Sequence, residues 1–161
     1  MNARRGIVLL SLGGMASMVP VALLQAGVVR HLPDPPAPGF DSDRVNLSSQ
    51  AYPLGIPDGP LTMASFAGNL VLAGLGDAPP AVFARALKSM IDALLAGWHL
   101  YLMPARERAW CSYCLVAVLA SLGIAGLAVG DLLQMAGERT EPFRIDAGRW
   151  RVLARGRVPV S

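Results

Sequence analysis

Three stretches of this chain contain no Asp, Glu, Lys or Arg: Gly6 to Val29 (24 residues), Gly59 to Gly76 (18) and Ala109 to Gly130 (22). At about 1.5 Å of rise per residue, each is long enough, or nearly so, to cross about 30 Å of hydrocarbon as a helix. The whole chain is 53% hydrophobic and 16% charged with a mean hydropathy of +0.46, which excludes an ordinary soluble globule. It also excludes a nucleic-acid binder read from the pI of 9.3, because a net charge of +3 is spread over loops and tails and forms no basic, aromatic-interleaved face. Two cysteines are too few for a disulfide-stapled secreted scaffold.

The apolar blocks divide the chain. Residues 1–6 form a short tail with Arg4 and Arg5, and 7–29 reads as a span. Signal-peptide cores are shorter, about 7 to 15 residues, and no convincing small-residue cleavage site lies near Ala26, so this block is expected to stay. Pro20 is expected to bend or loosen it, which neighbouring helices in a membrane can tolerate. Arg30 to Asp58 is rich in Pro, Asp and Ser and reads as a water-facing loop, with a short surface helix over Val45 to Tyr52. Residues 60–76 read as a second span and Gly76 to Pro80 as a turn. A third span, 81–103, carries Arg85, Lys88, Asp92 and His99 on one face, with Arg85 and Lys88 near enough to its start to snorkel to the headgroups. Pro104 to Arg108 makes a short turn, 109–130 is the fourth span, and 131–161 is a polar tail with six arginines.

The expected fold is therefore an all-α integral membrane protein, a four-transmembrane-helix bundle with a long extracytoplasmic loop between helices 1 and 2. The orientation comes from Lys and Arg: with both termini cytoplasmic, ten lie inside and four (Arg30, Arg44, Arg106, Arg108) outside. Trp98, Tyr101, Trp110 and Tyr113 flank the third turn, as an aromatic belt at one interface would.

Both cysteines lie in Trp110-Cys111-Ser112-Tyr113-Cys114, at the start of the fourth span. A C-x-x-C at a helix start brings two sulfurs within bonding reach, and the helix N-terminus favours a thiolate at the first. That is the recipe for a redox-active dithiol, with Cys111 the more exposed, attacked sulfur and Cys114, one turn deeper, closing the internal disulfide and passing electrons on. Two thiols give up two electrons and two protons, and a membrane quinone accepts that number. Strongly oxidising thiol carriers outside the cytoplasmic membrane sit near about −120 mV and need such an acceptor. The chain has no G-x-G-x-x-G turn, and two cysteines alone cannot hold an iron–sulfur cluster. Other readings of the pair stay open: small hydrophobes in an apolar helix, or half a zinc site completed by His31 and His99, although no metal site is expected.

The order of these features resembles the vitamin K epoxide reductase family, in particular its short bacterial membrane forms, over roughly Gly6 to Gly130. Trp110-Cys111-Ser112-Tyr113-Cys114-Leu115 is similar to that family's active-site pattern. Ser48-Ser49 followed by Gly55-Ile56-Pro57-Asp58 is similar to its passage from loop to second span. The resemblance implies a four-helix bundle around a quinone (menaquinone or ubiquinone) in the bacterial cytoplasmic membrane. It further implies catalytic Cys111 and Cys114, and a thioredoxin-fold partner that supplies thiols through a second cysteine pair in the first loop. The chain departs from the pattern there: Arg30 to Asp58 has no cysteine, and the place of that pair falls around Phe40 to Asn46.

Asp58 falls at the position of a quinone-contacting amide in the family. Protonated, it would donate to a quinone oxygen; it would otherwise cap the helix that starts at Gly59. The resemblance further implies that Ser48 and Ser49 help cover the site, and Ser49 and Tyr113 are expected, with Asp58, to bind the quinone. His99 is read as an interfacial histidine or a proton relay, and Lys88 with Asp92 as a structural pair. The expected function is a membrane thiol:quinone oxidoreductase supporting extracytoplasmic disulfide formation, with lipid, quinone and a thiol protein as partners and no nucleic acid. The rival is a non-enzymatic membrane scaffold, its cysteines a static staple and its arginine-rich tail a docking element.

Overall fold

The computed structural model describes residues 3–140; the arginines from Arg144 onward lie outside that range. Four long helices dominate: α1 (Ala3–Gln25), α3 (Asp58–Gly74), α4 (Pro79–Leu102) and α5 (Ser112–Thr140), with a short α-helix, α2 (Ser42–Asn46), and two 3-10 turns in the loop between α1 and α3. The fourth helix does not stop at Gly130 but continues to Thr140. No strand occurs among the described residues. Two helical stretches, Ala3–Gln25 and Ser112–Gly137, are long and apolar enough to cross a membrane; α3 is only 17 residues long and α4 carries Arg85, Lys88 and Asp92. α1 runs unbroken through Pro20.

α1 is the central helix, packing along α3 on one side and α5 on the other, while α4 completes the bundle against α5. Small residues let the backbones close. A Cβ on Gly14 of α1 would lie 2.6 Å from Phe66 Cε2 of α3, and one on Gly123 of α5 would lie 2.9 Å from Leu10 Cδ1 of α1. Where lipid removes the hydrophobic drive between helices, such close packing is the main attraction left. Ile7, Val21, Phe66 and Ile124 fill the resulting core. α3 and α4 meet along the shortest seam of the bundle, joined by a turn in which Gly76 takes φ +84°, and a cavity lies between them and α5.

The far end of the bundle is held by charges. Arg85 does not snorkel: it is 1% exposed, and its guanidinium donates to Asp131 (3.1 Å) and the Gly76 carbonyl (3.4 Å), with Asp77 3.6 Å away. Asp131 on α5 and the turn carbonyl accept from the two terminal nitrogens and tie α4 to α5, while the buried Nε finds no partner among the described residues. One turn on, Lys88 Nζ donates to Asp92 (2.6 Å) and to the Ser65 carbonyl and hydroxyl (both 2.9 Å), and Asp92 also accepts from Ser65 and Asn69. The polar stripe of α4 thus points into the bundle.

Candidate active site

The loop after α1 folds over the start of α5, and its fastenings begin with ordinary local chemistry. Asp41 caps α2 by accepting from the Arg44 N–H at 2.9 Å. The expected helix over Val45 to Tyr52 is displaced: it spans Ser42–Asn46, and 3-10 turns follow at Ser49–Ala51 and Pro53–Gly55. Before α5, a π-turn at Met103–Glu107 ends in Arg108, whose left-handed φ of 53° swings the chain so that Trp110 N–H donates to Gly39 O (2.7 Å) and Asp41 N–H to Trp110 O (3.0 Å).

Asp34 completes the fastening. Its carboxylate accepts from Ser42 N–H (2.6 Å), Ser42 Oγ–H (2.6 Å) and Ser112 Oγ–H (2.9 Å), and Ser42 Oγ in turn accepts the Ser112 N–H at the helix start (3.3 Å). Burial works to raise its pKa, but the hydrogen bonds from Ser42 and Ser112 outweigh that and hold it below the ordinary 3.8. Nearby, Asp43 accepts from Leu32 N–H at 2.8 Å and pairs with His31 Nδ1, which raises the His31 pKa above 6.5.

Beneath this cover Cys111 and Cys114 form a disulfide with their Cα atoms 5.2 Å apart. Cys111 is not the exposed sulfur expected: it is fully buried under α2, because the loop closes over the helix start. Its Sγ accepts from the Cys114 N–H (3.1 Å) and from Asn46 Nδ2 (3.2 Å). Asn46 is itself fully buried; its other Nδ2 proton goes to the Ser42 carbonyl (2.7 Å), and its Oδ1 lies 3.4 Å from Cys114 Sγ.

Cys114 faces the other way, into a cavity of about 460 Å³ between α3, α4 and α5. Its walls are largely apolar, with Leu61, Phe66, Leu95 and Val118 among them. Polar side chains also line it: Ser49, Gln50, Asp58, Ser65, Asp92, His99 and Ser121. Asp58 does not cap α3: the Gly59 N–H donates to Gln25 Oε1 (3.0 Å), and Gln25 Nε2 donates to Asp58 Oδ1 (2.7 Å) and the Asn46 carbonyl (3.2 Å). Tyr113 is not among the cavity's lining residues; its hydroxyl donates to the Pro33 carbonyl at 3.0 Å and braces the loop. Among the described residues no three His, Cys, Asp or Glu side chains gather as a metal site.

The disulfide at the start of α5 is sealed on one side by the loop and open on the other to an apolar cavity. The model for the vitamin K epoxide reductase family matches residues 6–129. The chain belongs to the vitamin K epoxide reductase family. No curated protein matches it. Membership, with two long apolar helices, makes this vitamin K epoxide reductase family protein a membrane protein and supports an oxidoreductase, in a family whose proteins use quinones. Asn46, Gln25, Asp34 and Ser42, which hold the site together, carry no motif of their own. The one available signal was Asp41 three residues before Arg44, a helix-capping spacing that places α2 at Ser42.

Proposed function

We propose that this protein is a four-span membrane thiol:quinone oxidoreductase in which the Cys111–Cys114 pair passes electrons from an extracytoplasmic, thioredoxin-fold thiol protein to a membrane quinone. The observation that carries the reading is that Cys114 lines an apolar cavity whose volume falls in the range of roughly 300 to 1,000 Å³ common for small-molecule sites. The donor set fits a flat, oxygen-bearing ring: apolar walls for its faces, and Asp58, His99 and Ser49 on the wall of the same cavity for its oxygens. A bound quinone supplies an acceptor for two electrons and two protons. Cys114 contacts it, Cys111 closes the disulfide behind Cys114, and Asp58 and His99 handle protons at the ring.

The four-span reading is supported by an inverted helix surface. On α4 the charged Arg85, Lys88 and Asp92 turn inward, while Phe83, Leu87, Met90, Ile91 and Leu94 are at least half exposed, the reverse of a helix on a soluble protein. The Lys and Arg distribution favours both termini in the cytoplasm, which supports a cysteine end outside. In membranes supplied with quinone, Cys111→Ser and Cys114→Ser should each reduce thiol-dependent quinol formation to background; unchanged turnover removes the pair from the mechanism. The sealing of Cys111 favours a second reading, a static staple in a membrane scaffold. Thiol trapping on gels separates the two, since a working pair cycles as quinone is supplied and a staple stays in one state.

A further inference from the structure

We propose that Asn46 is a catalytic residue of the dithiol, one amide that serves both sulfurs and makes the reduced pair asymmetric, with Cys111 as thiolate and Cys114 as thiol. The Ser42 carbonyl, 2.7 Å from one end of the Asn46 amide, fixes that end as the nitrogen, since a carbonyl can only accept. The second Nδ2 proton then points at Cys111 Sγ (3.2 Å), and Oδ1 faces Cys114 Sγ (3.4 Å).

In the disulfide neither sulfur carries a proton, so Asn46 Oδ1, fully buried, has among the described residues only a sulfur with nothing to donate. A buried carbonyl oxygen without a donor is costly. Reduction removes that cost. Two electrons break the Cys111–Cys114 bond, and one proton binds Cys114, whose S–H then donates to Oδ1. Cys111 stays ionised, accepting from Asn46 Nδ2 and from the Cys114 N–H at the positive end of α5. A partner dithiol supplies both electrons and two protons as it closes its own disulfide; one proton goes to Cys114 and the other to solvent. The ionisable groups packed nearest the pair are engaged elsewhere: Asp34 by Ser42 and Ser112, Asp58 by Gln25, Asp43 by His31 and Leu32. Arg44, Arg106 and Arg108 are exposed, Glu107 is half-buried, and His99 and Asp92 of α4 line the cavity that Cys114 faces; none of these, nor exposed Asp41, has a hydrogen bond to either sulfur.

This rests on the Cys111–Cys114 pair being redox-active, not on quinone as acceptor. The test equilibrates the full chain in detergent, without quinone, against glutathione buffers over a range of pH and counts reduced and oxidised forms by thiol tagging after denaturation. In the wild type, the change from two protons per reduced pair to one marks the ionisation of Cys111. It is expected well below the ordinary thiol value of about 8.5; a break at or above that value overturns the proposal without any variant. Asn46→Leu should move the equilibrium about tenfold toward the disulfide, about 30 mV for a two-electron couple, and raise the break by about one pH unit. A folded Asn46→Leu protein with wild-type equilibrium and break also overturns it. Quinol formation by the wild type is followed in parallel: its absence sinks the quinone reading and leaves the role of Asn46 standing.

Discussion

The two ends of the bundle are joined by different chemistry. At the far end α4 and α5 are locked by an ion pair, Arg85 with Asp131, at a guanidinium 1% exposed. At the cysteine end the loop is fastened to α5 by hydroxyls, amides and backbone groups converging on one carboxylate, Asp34. The difference teaches where the molecule can afford to move. Separating a buried ion pair leaves an uncompensated charge, whereas a set of individually modest hydrogen bonds can be broken and remade against water. Cys111 lies beneath the second kind of joint, so the proposed attack by a partner thiol would require α2 to lift.

The largest effect that would break this comparison is at the far end. Arg85→Leu leaves Asp131 facing the space the guanidinium filled and should destabilise the protein by about 3–5 kcal/mol, read as thermal unfolding in detergent. Adding Asp131→Leu should recover a large part of the loss. A single variant as stable as the parent means that charge does not lock this end.

A smaller effect sharpens the other half. Asp34→Ala removes the acceptor shared by Ser42 and Ser112 and strands the N–H of fully buried Ser42, at a cost of about 1–3 kcal/mol. The clearer readout is access: alkylation of reduced Cys111 should accelerate by about tenfold or more, because α2 no longer holds to the helix start. Unchanged access shows that Asp34 does not govern the opening. The same carboxylate carries a pH dependence of known sign. Its folded pKa lies below 3.8, so its contribution is present above 3.8 and is lost as pH falls through the lower folded value.

How legible each end was in the sequence follows the same division. The long helices were readable because apolar runs without charge leave a chain few alternatives, and the C-x-x-C at a helix start carries its own chemistry. Sequence spacing alone leaves Arg85 a snorkelling side chain, because its partner, Asp131, is 46 residues away and long-range pairing leaves no local mark. The cover over Cys111 was hidden for a related reason. Asn46, Ser42 and Asp34 are ordinary loop residues whose role depends on a left-handed Arg108 and two backbone bonds to Trp110, none of which spacing encodes. Tyr113, one residue from Cys114, was expected against the quinone; the helix turns it instead toward Pro33.

The smallest expected effect lies at the loop's outer edge, where His31 meets Asp43. The hydrogen bond and charge of Asp43 raise the His31 pKa above 6.5, so the contact stabilises the loop fully below 6.5 and fades as pH rises through the elevated folded value. The imidazole is 74% exposed, so solvent and salt screen the pair and its effect should be slight. His31→Gln stays neutral at every pH. Its melting midpoint should fall below that of the parent at pH 6 and converge with it by about pH 9, more closely still at high salt. Asp43 keeps its bond to the Leu32 N–H in both proteins, so that difference isolates the charge on His31. Identical midpoints at pH 6 would mean that the charge on His31 adds nothing to the hold of the cover over Cys111.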